Sequence, residues 1–162
     1  MQLMNRQIIH CDCDGFFAAI EIRDDDTLQG RPVAVGESPQ QRGVIEACNY
    51  EARHYGIYVG MPATQALRLC PKLSLCPPRL AVYEAAGQRI QRIYADYSEQ
   101  IEPVGLDGAF LDVSDTSRCR GNAALMAQEI RERIFDDVGI TASAGVAPNK
   151  FLAKIARSEE HT

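Results

Sequence analysis

The chain has no apolar run of about 18 residues, the length a membrane-crossing helix needs, so no membrane partner is expected. Its first six residues, Met1 to Arg6, contain neither an apolar signal region nor a small-residue cleavage site, and a cytoplasmic location is the expectation. Cys11, Cys13, Cys48, Cys70, Cys76 and Cys119 form no CxxC pair, and no histidine stands at zinc-ligand spacing from them. That excludes the common zinc frameworks and leaves small buried side chains as the reading of all six. Basic excess is missing as well. The net charge of −5 is the wrong sign for a free-standing nucleic-acid binder, which ordinarily presents a positive surface. Internal repeats and low-complexity tracts are absent.

What is present fits an ordinary globular chain. With 162 residues and a 46% hydrophobic share, there is enough apolar material for one domain, or one domain with an insertion. Strand-like runs are expected at Gln7–Cys13, Arg31–Val35, Val44–Cys48, Leu73–Cys76, Ile101–Val104, Ala109–Val113 and Ile140–Val146. Helices are expected over Gly15–Arg23, Tyr50–Tyr55, Ala63–Cys70, Leu80–Ser98, Asn122–Phe135 and from Lys150 to Ala156. In the long Leu80–Ser98 segment, Leu80, Tyr83, Ala86, Ile90, Ile93 and Tyr97 recur at spacings of three and four. Without the segment from about 15 to 80, the order is strand, helix, two strands, helix, strand, helix. This predicts an α+β fold on the ferredoxin-like plan, an antiparallel sheet with helices on one face and a small mixed insertion.

Two of the strands carry acids where chemistry would want them. Asp12 lies near the end of Ile8-Ile9-His10-Cys11-Asp12-Cys13-Asp14-Gly15-Phe16-Phe17, and Asp107 at the turn side of Gly105-Leu106-Asp107-Gly108-Ala109-Phe110-Leu111-Asp112. Side by side, these strands would bring Asp12 and Asp107 over one divalent cation, an arrangement suited to phosphoryl transfer. Taken alone, an acid at a strand end is as readily a turn residue or helix cap. Asp14, Asp112, His10 and Lys154 read as structural.

The motifs taken together carry a resemblance. They are the Asp12 segment above, then Gly43-Val44-Ile45-Glu46-Ala47-Cys48-Asn49-Tyr50-Glu51-Ala52-Arg53, Gly60-Met61-Pro62, Ile101-Glu102-Pro103-Val104-Gly105-Leu106-Asp107, Ala142-Ser143-Ala144-Gly145-Val146-Ala147, and Lys150-Phe151-Leu152-Ala153-Lys154-Ile155-Ala156. In order and spacing they resemble the Y-family translesion DNA polymerases from Ile8 to about Ala156. The resemblance implies a palm made of 1–14 and 81–156 and a fingers subdomain at 15–80. It implies a DNA-directed DNA polymerase working in DNA repair and lesion bypass, which adds a dNTP to a primer 3′-hydroxyl. The implied cofactor is Mg2+, as two ions, with Mn2+ as a substitute. Asp12, Asp107 and the Cys13 backbone carbonyl would be metal ligands. Phe17 would be the steric gate under the sugar, with Phe16 packed near it, and Tyr50 and Arg53 would hold the triphosphate. The implied partners are primer-template DNA and dNTP, a sliding clamp contacted only through a C-terminal region, and no second copy, so a monomer is expected.

Two departures qualify the resemblance. The family pattern has Asp-Glu where this chain has Asp107-Gly108, so position 108 lacks a catalytic carboxylate and a severe rate loss is expected. The thumb and the C-terminal DNA-gripping domain are expected to be absent. The last six residues, 157–162, fit no family pattern and match the translation of a sequencing-library adapter, so a non-family tail on a cut reading frame is expected; a short natural charged tail is the alternative. The competing reading of the whole chain is a catalytically dead palm-and-fingers remnant that serves as a binding or scaffold module. Nucleotidyl cyclases share the metal logic but lack the motif around Tyr50 and Arg53.

Overall fold

The computed structural model describes residues 6–159, so the expected palm start at 1–5 and the tail residues 160–162 lie outside the described residues. Two compact units divide the chain. One holds the first strand together with everything from Glu84 onward; the other is Asp14–Tyr83.

The first unit is built on a four-stranded antiparallel sheet in the order β5-β6-β1-β7, with β1 Ile8–Cys13, β5 Gln100–Val104, β6 Gly108–Asp112 and β7 Ala142–Ala147. With the insertion removed, this is the ferredoxin-like order expected from the sequence. Central β1 faces Phe110 and Gly145 at His10, and Leu111 and Val146 at Ile9. Successive side chains of a strand point to opposite faces, which sorts the sheet residues. Ile9, Cys11, Ala109 and Leu111 share one face and are fully buried. This face receives helix α4 (Leu80–Ala95), whose Tyr94 hydroxyl meets the Cys11 thiol. Helix α5 (Ala123–Val138) packs on β7 and β1, and its apolar positions Met126, Ile130 and Ile134 have no exposure. His10, Asp12, Phe110 and Gly145 share the opposite face, where helix α6 (Lys150–Glu159) lies against β7 and β1. The helices thus occupy both faces: α4 and α5 on the apolar one, and α6 on the face that carries the acids.

Local chemistry sets the helix ends. Asn122 caps α5 by accepting the Leu125 N–H at 3.2 Å, and Gly139, at φ 80°, closes it with its N–H on the Phe135 carbonyl. The helix therefore runs past Phe135, through Asp136 and Asp137 to Val138. Helix α4 stops at Ala95 rather than Ser98, because the Asp96 and Tyr97 amides bond back only three residues, to Ile93 and Tyr94.

The second unit contains α1 (Phe16–Asp24), packed on a three-stranded sheet in the order β3-β2-β4, with β2 Val33–Val35, β3 Ala47–Cys48 and β4 Ser74–Cys76, together with two short helices, α2 (Tyr50–Arg53) and α3 (Ala63–Leu69). Its core gathers Ala34, Ile45, Cys48, Ala52, Ile57, Met61, Ala66, Cys70 and Leu73. The strand expected over Val44–Cys48 is shorter. Ile45 exchanges backbone hydrogen bonds with the Gly60–Met61 loop, giving its N–H to Met61 and accepting from Gly60, so only Ala47 and Cys48 remain to pair with β2.

Candidate active site

The acid-bearing turn is held from beneath by α4. Tyr94 donates its hydroxyl to the Asp107 carbonyl at 2.7 Å, and Gln91 donates to the carbonyls of Gly108 at 3.1 Å and Leu106 at 3.3 Å. Gly87 permits this seat, since a Cβ there would stand 2.7 Å from the Leu106 carbonyl oxygen. Burial pushes the Cys11 thiol up to about 12 and raises the Tyr94 phenol well above its ordinary value. Both stay neutral under the site.

Above that support, Asp107 and Asp12 converge at the end of β1. The Asp107 carboxylate accepts the Cys13 N–H at 2.9 Å, which ties the turn between β5 and β6 to the first strand. Position 108 faces the same spot but is tight: a Cβ built there would lie 2.9 Å from the Val104 carbonyl oxygen and 3.2 Å from the Asp12 Cβ. A side chain at 108 would therefore project beside Asp12. Among the described residues, no group of three or more His, Cys, Asp and Glu is placed to hold a metal ion; Asp12 and Asp107 are two, and Gly108 adds none. Asp12 is also engaged by Arg157 of α6, whose guanidinium forms an ion pair with its Oδ1.

His10, two residues back on the same face, is buried. Desolvation, and then the positive charges of Arg157 and Lys154, hold its imidazole down at about 4, so it is neutral and packs on Phe110 with ring centres 4.5 Å apart. This matches a packed strand residue.

The remaining candidates lie in the second unit. Phe16 is buried; Phe17 is half-buried and 5.7 Å from it, ring to ring. Phe17 also stacks on Tyr83 at 4.2 Å, with the planes 14° apart. Tyr83 in turn donates its hydroxyl to the Glu21 carboxylate at 2.7 Å, and Arg79 donates to both oxygens of that carboxylate at 2.8 and 3.1 Å. Burial, rather than the phenol's ordinary chemistry, pushes Tyr83 up to about 12.

Tyr50 and Arg53 sit on the exposed side of one-turn α2, with Tyr50 in an edge contact with His54. So short a helix is marginal by itself. Asn49 fixes it in place. Its side-chain oxygen accepts from Ala52 at 3.0 Å and from Val33 at 2.9 Å, while its amide donates to the Arg31 carbonyl at 2.7 Å.

Sequence reasoning named Asp12, Cys13, Asp107, Gly108, Phe16, Phe17, Tyr50 and Arg53, and missed the residues that hold them: Gln91, Tyr94, Glu21, Arg79 and Asn49. It also missed Arg157, which lies within α6 and not beyond its end. The signal for Arg157 was the spacing Lys150, Lys154, Arg157, a basic stripe along one helix.

Comparison with known proteins shows the family. The impB/mucB/samB family matches residues 11–158. DNA polymerase IV of Pseudomonas syringae pv. tomato is 54% identical over 154 residues, covering 95% of this chain and 44% of that protein. DNA polymerase IV of Pseudomonas putida strain KT2440 is 56% identical over 151 residues, covering 93% and 43%. The chain thus spans less than half the length of these curated relatives. Among solved structures, DinB from Sulfolobus solfataricus superposes with a TM-score of 0.86 at 33% identity, covering 94% of this chain and 45% of that one. The Dbh DNA polymerase in an insertion ternary complex gives 0.85 at 34% identity, covering 94% and 46%. With a family match over nearly its whole length and the acids of β1 and the turn before β6 drawn together, the chain belongs to the impB/mucB/samB family, the Y-family of its sequence motifs.

Proposed function

We propose that this chain is the palm-and-fingers part of a template-directed DNA polymerase that adds deoxynucleotides to a primer 3′-hydroxyl, with 1–14 and 81–156 as the palm and 15–80 as the fingers. One observation carries the reading: Asp12 and Asp107 converge at the end of β1, where a Cβ at position 108 would also face Asp12, 3.2 Å from its Cβ. The donor set there is all hard oxygen, two carboxylates and the Cys13 carbonyl, which suits Mg2+ or Mn2+. When bound, such an ion would lower the pKa of the attacking hydroxyl and neutralise phosphate charge.

The chain's own residues do the positioning. Asp12 and Asp107 supply negative charge on the palm, and Gln91 and Tyr94 hold the turn that carries Asp107. Tyr50 and Arg53 are assigned to the triphosphate; a guanidinium offers several donors to phosphate oxygens. Phe17 is assigned to the sugar, its ring backed by Tyr83, where it would clash with a ribose 2′-hydroxyl. Primer-template DNA and dNTP are the proposed partners. The net charge of −5 leaves most of the grip on DNA to basic surface in other parts of a full-length polymerase.

Gly108 makes catalysis by this sequence weak. The test is primer extension by a chimera that joins residues 1–156 to the remaining length of the Pseudomonas putida relative. Gly108→Glu in that chimera raises the rate by about 100-fold or more. Equal rates with Gly and Glu overturn the role of position 108, and no extension with Glu overturns the polymerase reading. Gly108 favours a second reading, a binding module without catalysis, which that last result would leave standing.

A further inference from the structure

Glu21 and Arg79 have no part in the chemistry assigned above, yet they grip the ring that backs Phe17. Phe17 and Glu21 stand four residues apart on α1 and so share one face of that helix. Tyr83, in the first turn of α4 and with no exposure, meets both. Its ring stacks on Phe17, and its hydroxyl donates to the Glu21 carboxylate at 2.7 Å. A ring held by stacking alone can slide and tilt; a ring held at its face and at its hydroxyl cannot. Glu21 is itself fixed. It is 8% exposed, and both of its oxygens accept from the Arg79 Nε–H, while the same guanidinium donates to Asp24 at 2.8 Å. Such charge-assisted hydrogen bonds are the stronger kind. The Arg79 carbonyl also accepts the Tyr83 N–H at 3.2 Å. The contacts therefore close a ring: Arg79 to Glu21, Glu21 to Tyr83, and Tyr83 back to Arg79.

We infer that the Glu21–Arg79 pair is the positioning element of a sugar gate: it fixes Tyr83, Tyr83 fixes the plane of Phe17, and the pair thereby sets how firmly a ribose 2′-hydroxyl is refused. This rests on the proposed assignment of Phe17 to the sugar. A gate that works by clash is only as selective as its ring is immobile, because a ring free to tilt relieves the clash at little cost. Phe17 is half-buried, so its exposed edge has no packing of its own to hold it, and the constraint must come from the Tyr83 behind it. Neither Glu21 nor Arg79 touches the nucleotide in this scheme. Both act through Tyr83.

The test is fluorescence titration of the 162-residue chain with labelled dATP and with the matching labelled ATP. The unaltered chain binds the deoxynucleotide about tenfold or more tighter. Glu21→Leu removes the acceptor of Tyr83 and the partner of Arg79, and the affinity for the ribonucleotide rises about tenfold. Glu21→Gln leaves an acceptor for the hydroxyl and keeps most of the preference. Tyr83→Phe removes one hydroxyl and no packing volume, and it narrows the preference as Glu21→Leu does. A pair that served only stability would, when broken, weaken both nucleotides together and strengthen neither. If Phe17→Ala erases the preference while Tyr83→Phe leaves it intact or lowers both affinities in step, the inference falls and the assignment of Phe17 stands. If the unaltered chain binds the two nucleotides alike, or binds neither, the assignment of Phe17 falls and this inference with it.

Discussion

The two units place their candidate site residues by different means. In the first, beside the Tyr94 and Gln91 hydrogen bonds, close backbone approach matters: Gly145 lets α6 lie on the sheet, and Gly87 lets the Leu106 carbonyl seat against α4. In the second, placement depends on what side chains carry. Asn49 makes three hydrogen bonds that anchor the helix of Tyr50 and Arg53, and Glu21 joins Arg79 to the Tyr83 that backs Phe17. Backbone-to-backbone packing tolerates no added atom, whereas a polar hub tolerates no removed one. At these positions the first unit should therefore fail on enlargement, at Gly87 and Gly145, and the second on truncation, at Asn49 and Glu21.

The sharpest way to break that contrast is Gly145→Val. Its branched side chain would overlap the α6 backbone, so the expected loss is about 3 kcal/mol or more in urea unfolding, with the Arg157–Asp12 pair lost. An unchanged midpoint would mean that α6 is not held by close approach. Next in size is Glu21→Ala. It leaves the Tyr83 hydroxyl and the Arg79 guanidinium without their buried acceptor, at a cost of about 2 kcal/mol. Near-ultraviolet circular dichroism should also report a loosened Phe17–Tyr83 stack. Asn49→Ala follows, at about 1–2 kcal/mol, since it removes a helix cap and a bridge to β2. If Tyr50 and Arg53 hold a triphosphate, fluorescence titration with a labelled dNTP should show weaker binding in the same variant.

The smallest expected effect is one of pH, and it belongs to the first unit. Ser114 hydrogen bonds, with Arg6 adding, hold the Asp112 carboxyl below its ordinary 3.8. A depressed carboxylate pKa contributes stability that is present above the unfolded value and is lost as the pH falls through the folded one. The unfolding midpoint should therefore drop on acidification below about 4, and Asp112→Asn should flatten that part of the profile.

The ferredoxin-like sheet was legible because its signals are local and redundant: apolar runs for β1 and β6, a helical period from Leu80, and turn residues before Asp107. The acids were legible because they interrupt those runs. The supporting residues were harder to see. Tyr83 and Tyr97 follow the helical period and read as core, and nothing local says that Tyr83 reaches Glu21, 62 residues away. Asn49 reads as a helix cap, which it is, but its bond to Val33 spans 16 residues and exists only in the folded sheet. Gly145 was visible as a glycine within a strand, a pattern that marks a bulge, a bend or a close approach without choosing among them. Arg157 was hidden because motif matching ended at Ala156 while the helix and its basic stripe went on.

The sulfur that brackets the acid of β1 has a consequence for thiol reactivity. Cys11 has no exposure and Cys13 is 5% exposed, and the Cys11 thiol is pushed up to about 12. A thiol that keeps its proton neither reacts readily with alkylating agents nor recruits soft ions such as zinc or copper(I). The strand can thus carry sulfur on both sides of Asp12 and still offer no Cys11 thiolate to a thiophilic metal.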